Sequence, residues 1–166
     1  GGRSSYAHLF LKLTDNSNSA YFYDMNAKVK HKFSEDDQLY FSGYLGRDVF
    51  SLAESFKNTY GNSFASLRWK HRFNDDISSN LSFTFTDYLY RLNLEFVGFE
   101  FENGIYDFDV NYDINHYVSD KIQFRYGLES IYHTFNPGFI QPTTESSGIT
   151  EDQLPRKYAF DNGAYV

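Results

Sequence analysis

Residues 21–33, YFYDMNAKVKHKF, separate by parity into two unlike sets. Tyr21, Tyr23, Met25, Ala27, Val29, His31 and Phe33 fall in one register; Phe22, Asp24, Asn26, Lys28, Lys30 and Lys32 fall in the other. A period of two marks a β-strand whose faces meet different surroundings. The same alternation recurs over 38–48, 63–73, 79–90, 105–114 and 122–134, and Lys157 to Val166 begins a further strand. In 63–73, for example, Ala65, Leu67, Trp69, His71 and Phe73 oppose Phe64, Ser66, Arg68, Lys70 and Arg72. In 105–114, Tyr106, Phe108, Val110, Tyr112 and Ile114 oppose Asp107, Asp109, Asn111 and Asp113.

The connections predict how these strands are joined. SEDD (34–37) and NDD (74–76) read as tight turns and NHYVSDK (115–121) as a fairly short one, whereas 51–62, about 92–104 and 136–156 are longer and hold Gly, Asn or Pro. In an up-and-down antiparallel sheet every second connection lies at the same end. One end is therefore expected to carry tight turns and the other loops. Strands of about 10–13 residues exceed the ~5–6 usual in globular sheets and suit the ~9–11 tilted residues that cross a bilayer.

Three or four charges along one strand face cannot enter a dry core, since each unpaired ion costs at least several kcal/mol. That row must see water. The apolar row then faces either the core of a soluble sheet or lipid. Tyr21 and Tyr23 near one strand end, with Trp69 and Phe73 near the other, match interfacial aromatic belts and favour lipid. The resulting expectation is an all-β, antiparallel up-and-down transmembrane β-barrel.

Composition narrows the partners. The 166 residues hold no linker that would divide them, so residues 1–166 read as one unit. Aromatic residues make up 20%, yet mean hydropathy is -0.56 because polar residues are interleaved among them. No apolar run approaches the ~20 residues of a membrane helix. A net charge of -7 leaves no basic footprint for nucleic acid. The absence of cysteine rules out a disulfide framework or thiolate metal site. The opening GGRSSY has no signal-peptide pattern, so the chain reads as cytosolic or as a mature or trimmed piece.

Particular stretches carry a resemblance. GRSSYAHLFLKL (2–13), YFYDMNAKVKHKFSEDDQLYFSGYLGRDVF (21–50), NSFASLRWKHRFNDD (63–76) and YHTFNPG (132–138) resemble the barrel of TonB-dependent outer-membrane receptors of the Bacteroidota type. The run through FSGYLGRDVF is the most specific. Departures are Ser4 where the family often has arginine, His8 where an acidic residue is usual, and a short 92–104 connection. The resemblance implies a barrel of about 22 strands around an N-terminal plug. This chain would be a section of about seven or eight strands of its wall, without plug or TonB box. It also implies uptake of a bulky nutrient such as an iron chelate, glycan or peptide, energised through TonB, in the Gram-negative outer membrane. The implied partners are outer-membrane lipid, the rest of the barrel with its plug, TonB through the missing N-terminal segment, and a surface lipoprotein.

With tight turns at the periplasmic side, Lys28, Lys30, Lys32, Arg68, Lys70 and Arg72 form a basic wall in that half of the lumen. Asp107, Asp109 and Asp113 form an acidic one. By analogy with the family these walls hold the plug through charge-assisted hydrogen bonds; charge reversal at Arg68 and Lys70 then loosens it. The plainer alternative is a hydrated lumen whose charges merely keep it wet. His31 and His71 lie on apolar rows without metal-ligand spacing and read as interfacial packing. Glu129 and His133 share a register, but no nucleophile accompanies them, so neither enzyme nor cofactor is expected. The triplet Asn80-Leu81-Ser82 lies inside a strand and is set aside, and the polar 136–156 segment reads as an extracellular loop, with or without ligand contact.

Two other readings stay open. A complete eight-stranded barrel with a structural or adhesive role predicts pairing of the first and last strands. A soluble β-rich ligand-binding module predicts a sealed core.

Overall fold

The computed structural model describes residues 1–5, 18–53, 55–144, 147–148 and 150–166. Residues 6–13 of the stretch GRSSYAHLFLKL, with His8, lie outside them. The described chain is one antiparallel sheet: β1 (Gly2–Ser4), β2 (Ser19–Lys32), β3 (Asp37–Leu52), β4 (Phe56–Arg72), β5 (Ile77–Leu94), β6 (Phe99–Ser119), β7 (Ile122–Pro142), β8 (Asp152–Gln153) and β9 (Lys157–Tyr165). β1 to β7 pair in chain order; β8 and β9 both pair with β7, at different heights. Among the described residues the outer edges of β1 and β9 are unpaired and the sheet is open. That counts against the closed eight-stranded barrel.

Local chemistry sets the tight turns. Ser34 Oγ accepts from the amides of Asp36 and Asp37, at 3.2 and 3.0 Å. Asn74 Oδ1 does the same for Asp76 and Ile77, both at 2.9 Å. These are side-chain-capped turns in which a short polar residue stands in for backbone.

Two of the three expected loops are a correction. Only residues 53–55 join β3 to β4, and only 95–98 join β5 to β6, where Gly98 takes a φ of 78°. Likewise 115–119 continue β6, leaving a two-residue turn at 120–121. The strands run to 14, 16, 17, 18, 21 and 21 residues from β2 to β7. The β3–β4 and β5–β6 connections are thus tight as well, and most of 51–62 and 92–104 is paired ribbon, whereas 136–156 is strand only over 136–142 and 152–153 among the described residues. One irregularity breaks the ribbon: Glu102 pairs with Phe139 and Gly104 with Asn136, so Pro137 and Gly138 stand against Asn103 alone. Gly104 sits at a close approach, for a Cβ there would lie 2.8 Å from the carbonyl oxygen of Tyr88.

Unbroken register from β2 to β6 stacks like on like. Lys28, Ser42, Ser66, Thr84 and Asp109 form one cross-strand row; Val29, Phe41, Leu67, Phe83 and Val110 form the next, on the other face. On the apolar face of β3 the first charges are Asp37 and Arg47, with Leu39, Phe41, Gly43 and Leu45 between. Ten residues span about 33 Å along a strand, or about 25 Å of height at a ~40° tilt.

Beyond Arg47 the polarity of the faces exchanges. The formerly apolar face carries Ser51, Lys57, Asn93, Glu100 and Gln141 in one row, and Arg91 pairs there with Glu102 at 2.5 Å. The opposite face carries Phe50, Leu92, Phe101 and Ile140.

The sheet builds almost no interior. Val49, at 6% exposure, is the one buried hydrophobic side chain among the described residues. The accessible surface is 11290 Å², whereas a compact monomer of this mass exposes about 8,500 Å².

Candidate functional site

The sheet curls around its polar face. Side chains from β2 to β7 there line one hollow of about 660 Å³, among them Lys28, Lys30, Tyr40, Ser42, Ser66, Arg68, Thr84, Asp109, Arg125 and Glu129. Of the nine residues expected on the two walls, the structure brings Lys28, Lys30, Arg68 and Asp109 into this hollow. Tyr40 organises the cationic side: Lys30 Nζ lies 5.3 Å and the Arg68 guanidinium 4.6 Å from its ring centroid. Two cations thus share one aromatic ring. Tyr40 in turn donates to Gln38 Oε1 at 2.7 Å. Among the described residues no carboxylate lies within ion-pair distance of Lys28, Lys30 or Arg68.

The other five are engaged elsewhere. Lys32 pairs with Glu35 at 2.7 Å and Arg72 with Asp36 at 2.7 Å, both at the turns. The Lys32 ammonium beside Glu35 holds that turn carboxyl below its ordinary range. Lys70 faces Gln38 and Asn80 across the ladder, outside the hollow's lining. Asp107 meets His133 Nδ1 at 2.7 Å, and His133 Nε2 reaches Asp161 of β9 at 3.2 Å. Asp113, buried, accepts from Arg125 at 3.0 Å and from the Tyr165 hydroxyl.

On the acidic side of the hollow, Asp109 Oδ1 is shut off from solvent and accepts no hydrogen bond from the described protein. Glu129 and Arg125 lie in the polar register of 122–134 and line the same hollow; pairing of β6 with β7 sets Glu129 diagonally from Asp109 and Arg125 against Asn115, within reach of Asp113. His133 bonds carboxylates on its two neighbouring strands rather than Glu129 on its own.

The opposite face has a chemistry of its own. Leu67, Trp69 and Phe83 are 41%, 45% and 43% exposed and line an apolar groove, while Arg68, between the first two, lines the polar hollow. His31 meets Phe33 edge-on at 4.5 Å, and His71 meets Phe73 likewise at 4.6 Å. Both histidines therefore sit in aromatic contacts at the tight-turn end. Among the described residues no group of three or more His, Cys, Asp or Glu side chains is arranged to hold a metal ion, and no helix is long and apolar enough to cross a membrane. Compared with protein-family models, curated proteins and solved structures, the chain gives no match in any of the three.

Proposed function

We propose that this sheet is an arc of the wall of an outer-membrane β-barrel, its apolar face against lipid and its polar face against an aqueous lumen. One observation carries the reading: a band of exposed Leu, Phe, Val and Trp side chains about 25 Å tall lies on one face, and no second layer covers it among the described residues. A soluble sheet would bury that face. The exchange of polarity beyond Arg47 fits as well, because the outer face turns polar where the strands leave the bilayer. Open edges are untenable in lipid, so further strands on both sides complete the wall.

The barrel is, in this reading, that of a TonB-dependent transporter importing a bulky nutrient, with TonB, a plug and a surface lipoprotein as partners. Support comes from the stretches 21–50 and 63–76, which form β2 to β4 with their turns. Lys28, Lys30 and Arg68 then face the plug. Arg68→Glu will loosen plug retention, read as protease sensitivity of the plug, and Lys70→Glu will not; equal effects would count against plug docking in the hollow.

The chain has no cysteine, so a single substitution gives a label unique within these 166 residues. With an environment-sensitive dye at Leu67→Cys or Phe83→Cys, emission will be blue-shifted and quenched by brominated lipid. At Ser66→Cys or Thr84→Cys it will be quenched by aqueous iodide. Four positions behaving alike in reconstituted vesicles would end the two-solvent reading.

A further inference from the structure

At the tight-turn end of the apolar face a groove of about 460 Å³ is lined by Phe33, Leu39, Leu67, Trp69, Leu81 and Phe83, with one charged side chain, Asp37. Asp37 is held firmly. Its Oδ1 accepts from Trp69 Nε1 at 2.9 Å and lies 2.8 Å from His71 Nδ1, and its Oδ2 accepts from Ser34 Oγ at 3.0 Å. The side chain nevertheless stays 30% exposed, and a carboxylate has about four lone-pair sites. It can take another donor from outside.

The charges around it decide which donor. Lys32, Lys70 and Arg72 all lie in the opposite register, and Lys32 and Arg72 are paired with Glu35 and Asp36. On the groove's own face the rim therefore presents a carboxylate without a lysine or arginine beside it. We infer that the groove is a phospholipid site, in which an acyl chain lies along Leu39, Leu67, Leu81 and Phe83 and a headgroup with a primary ammonium donates to Asp37. The inference rests on the lipid-facing reading of this face. An anionic headgroup would be repelled at the rim, and a quaternary ammonium has no N–H to donate. Phosphatidylethanolamine is thus selected over phosphatidylglycerol and phosphatidylcholine.

The test is lipid retention. The whole protein is reconstituted in nanodiscs holding the three lipids in equal amounts, extracted in mild detergent, and its bound lipids are counted by native mass spectrometry. Phosphatidylethanolamine will be enriched about tenfold or more, the worth of one charge-assisted hydrogen bond. Asp37→Asn will remove the preference, Asp37→Glu will restore it, and Asp48→Asn, in the opposite register, will leave it intact. Equal retention of the three lipids by the unmodified protein, or a preference that survives Asp37→Asn, overturns the inference. Failure of the protein to enter the bilayer at all overturns the membrane reading beneath it.

Discussion

Replacing Leu67 with arginine will remove about 2–4 kcal/mol of stability in a bilayer, whereas Ser66→Arg, one residue away, will change it by less than about 1 kcal/mol. The two positions share a strand and differ only in face. Leu67 lies in the apolar row between Phe41 and Phe83; Ser66 lies in the polar row, where its hydroxyl meets Thr84 Oγ1 at 3.4 Å. A guanidinium on the lipid side must be dragged through hydrocarbon or must distort the bilayer around it. One added in the hollow joins Lys28, Lys30 and Arg68 in water. Urea titration of the protein folded into phospholipid vesicles measures both. Equal costs would mean that the faces do not see different solvents.

Asp113→Ala should be the most damaging single change on the polar face, at about 2–3 kcal/mol. Asp113 is buried at 6% exposure and joins three strands, since it lies on β6 and accepts from Arg125 of β7 and Tyr165 of β9. β9 has no other strand partner than β7 among the described residues. Its other side-chain ties include Ser130 to Asn162 at 2.8 Å, His133 to Asp161, and the contacts of Tyr132 with Tyr158, stacked, and Phe160, tilted. Losing the carboxylate will speed amide hydrogen exchange in β9 about thirtyfold or more, while β3 to β5 keep their protection. Asp113→Asn, which keeps an acceptor but loses the charge, will fall between. Unchanged exchange in β9 would show that the ladder alone holds that strand.

The strand faces were legible because burial and hydration impose a period of two that survives in the residues themselves. Leu67 and Arg68 were assigned to opposite sides from spacing alone, and the structure sets them on opposite sides. Strand ends were legible only where a residue with a local job stands, as Ser34 and Asn74 do at the turns. At the other end the alternation continues but with its polarity exchanged. Phe50 and Leu92 there fall in the register of Lys28 and Thr84, so a fixed apolar register stops, and ribbon reads as loop. Membership of the hollow was partly hidden for a different reason. Arg125 and Glu129 join the hollow through pairing between strands, and Lys32 and Arg72 leave the basic wall for carboxylates at the turns.

The place where Pro137 and Gly138 stand against a lone Asn103 has an evolutionary corollary. A hairpin whose alternate residues live in different media can ordinarily grow or shrink only by even steps, because an odd insertion carries every later side chain into the wrong medium. This widened spot takes up one odd residue and returns the following ones to their proper sides. The projecting tip of β6 and β7 is thereby free to vary in length, residue by residue, while the wall below keeps its alignment.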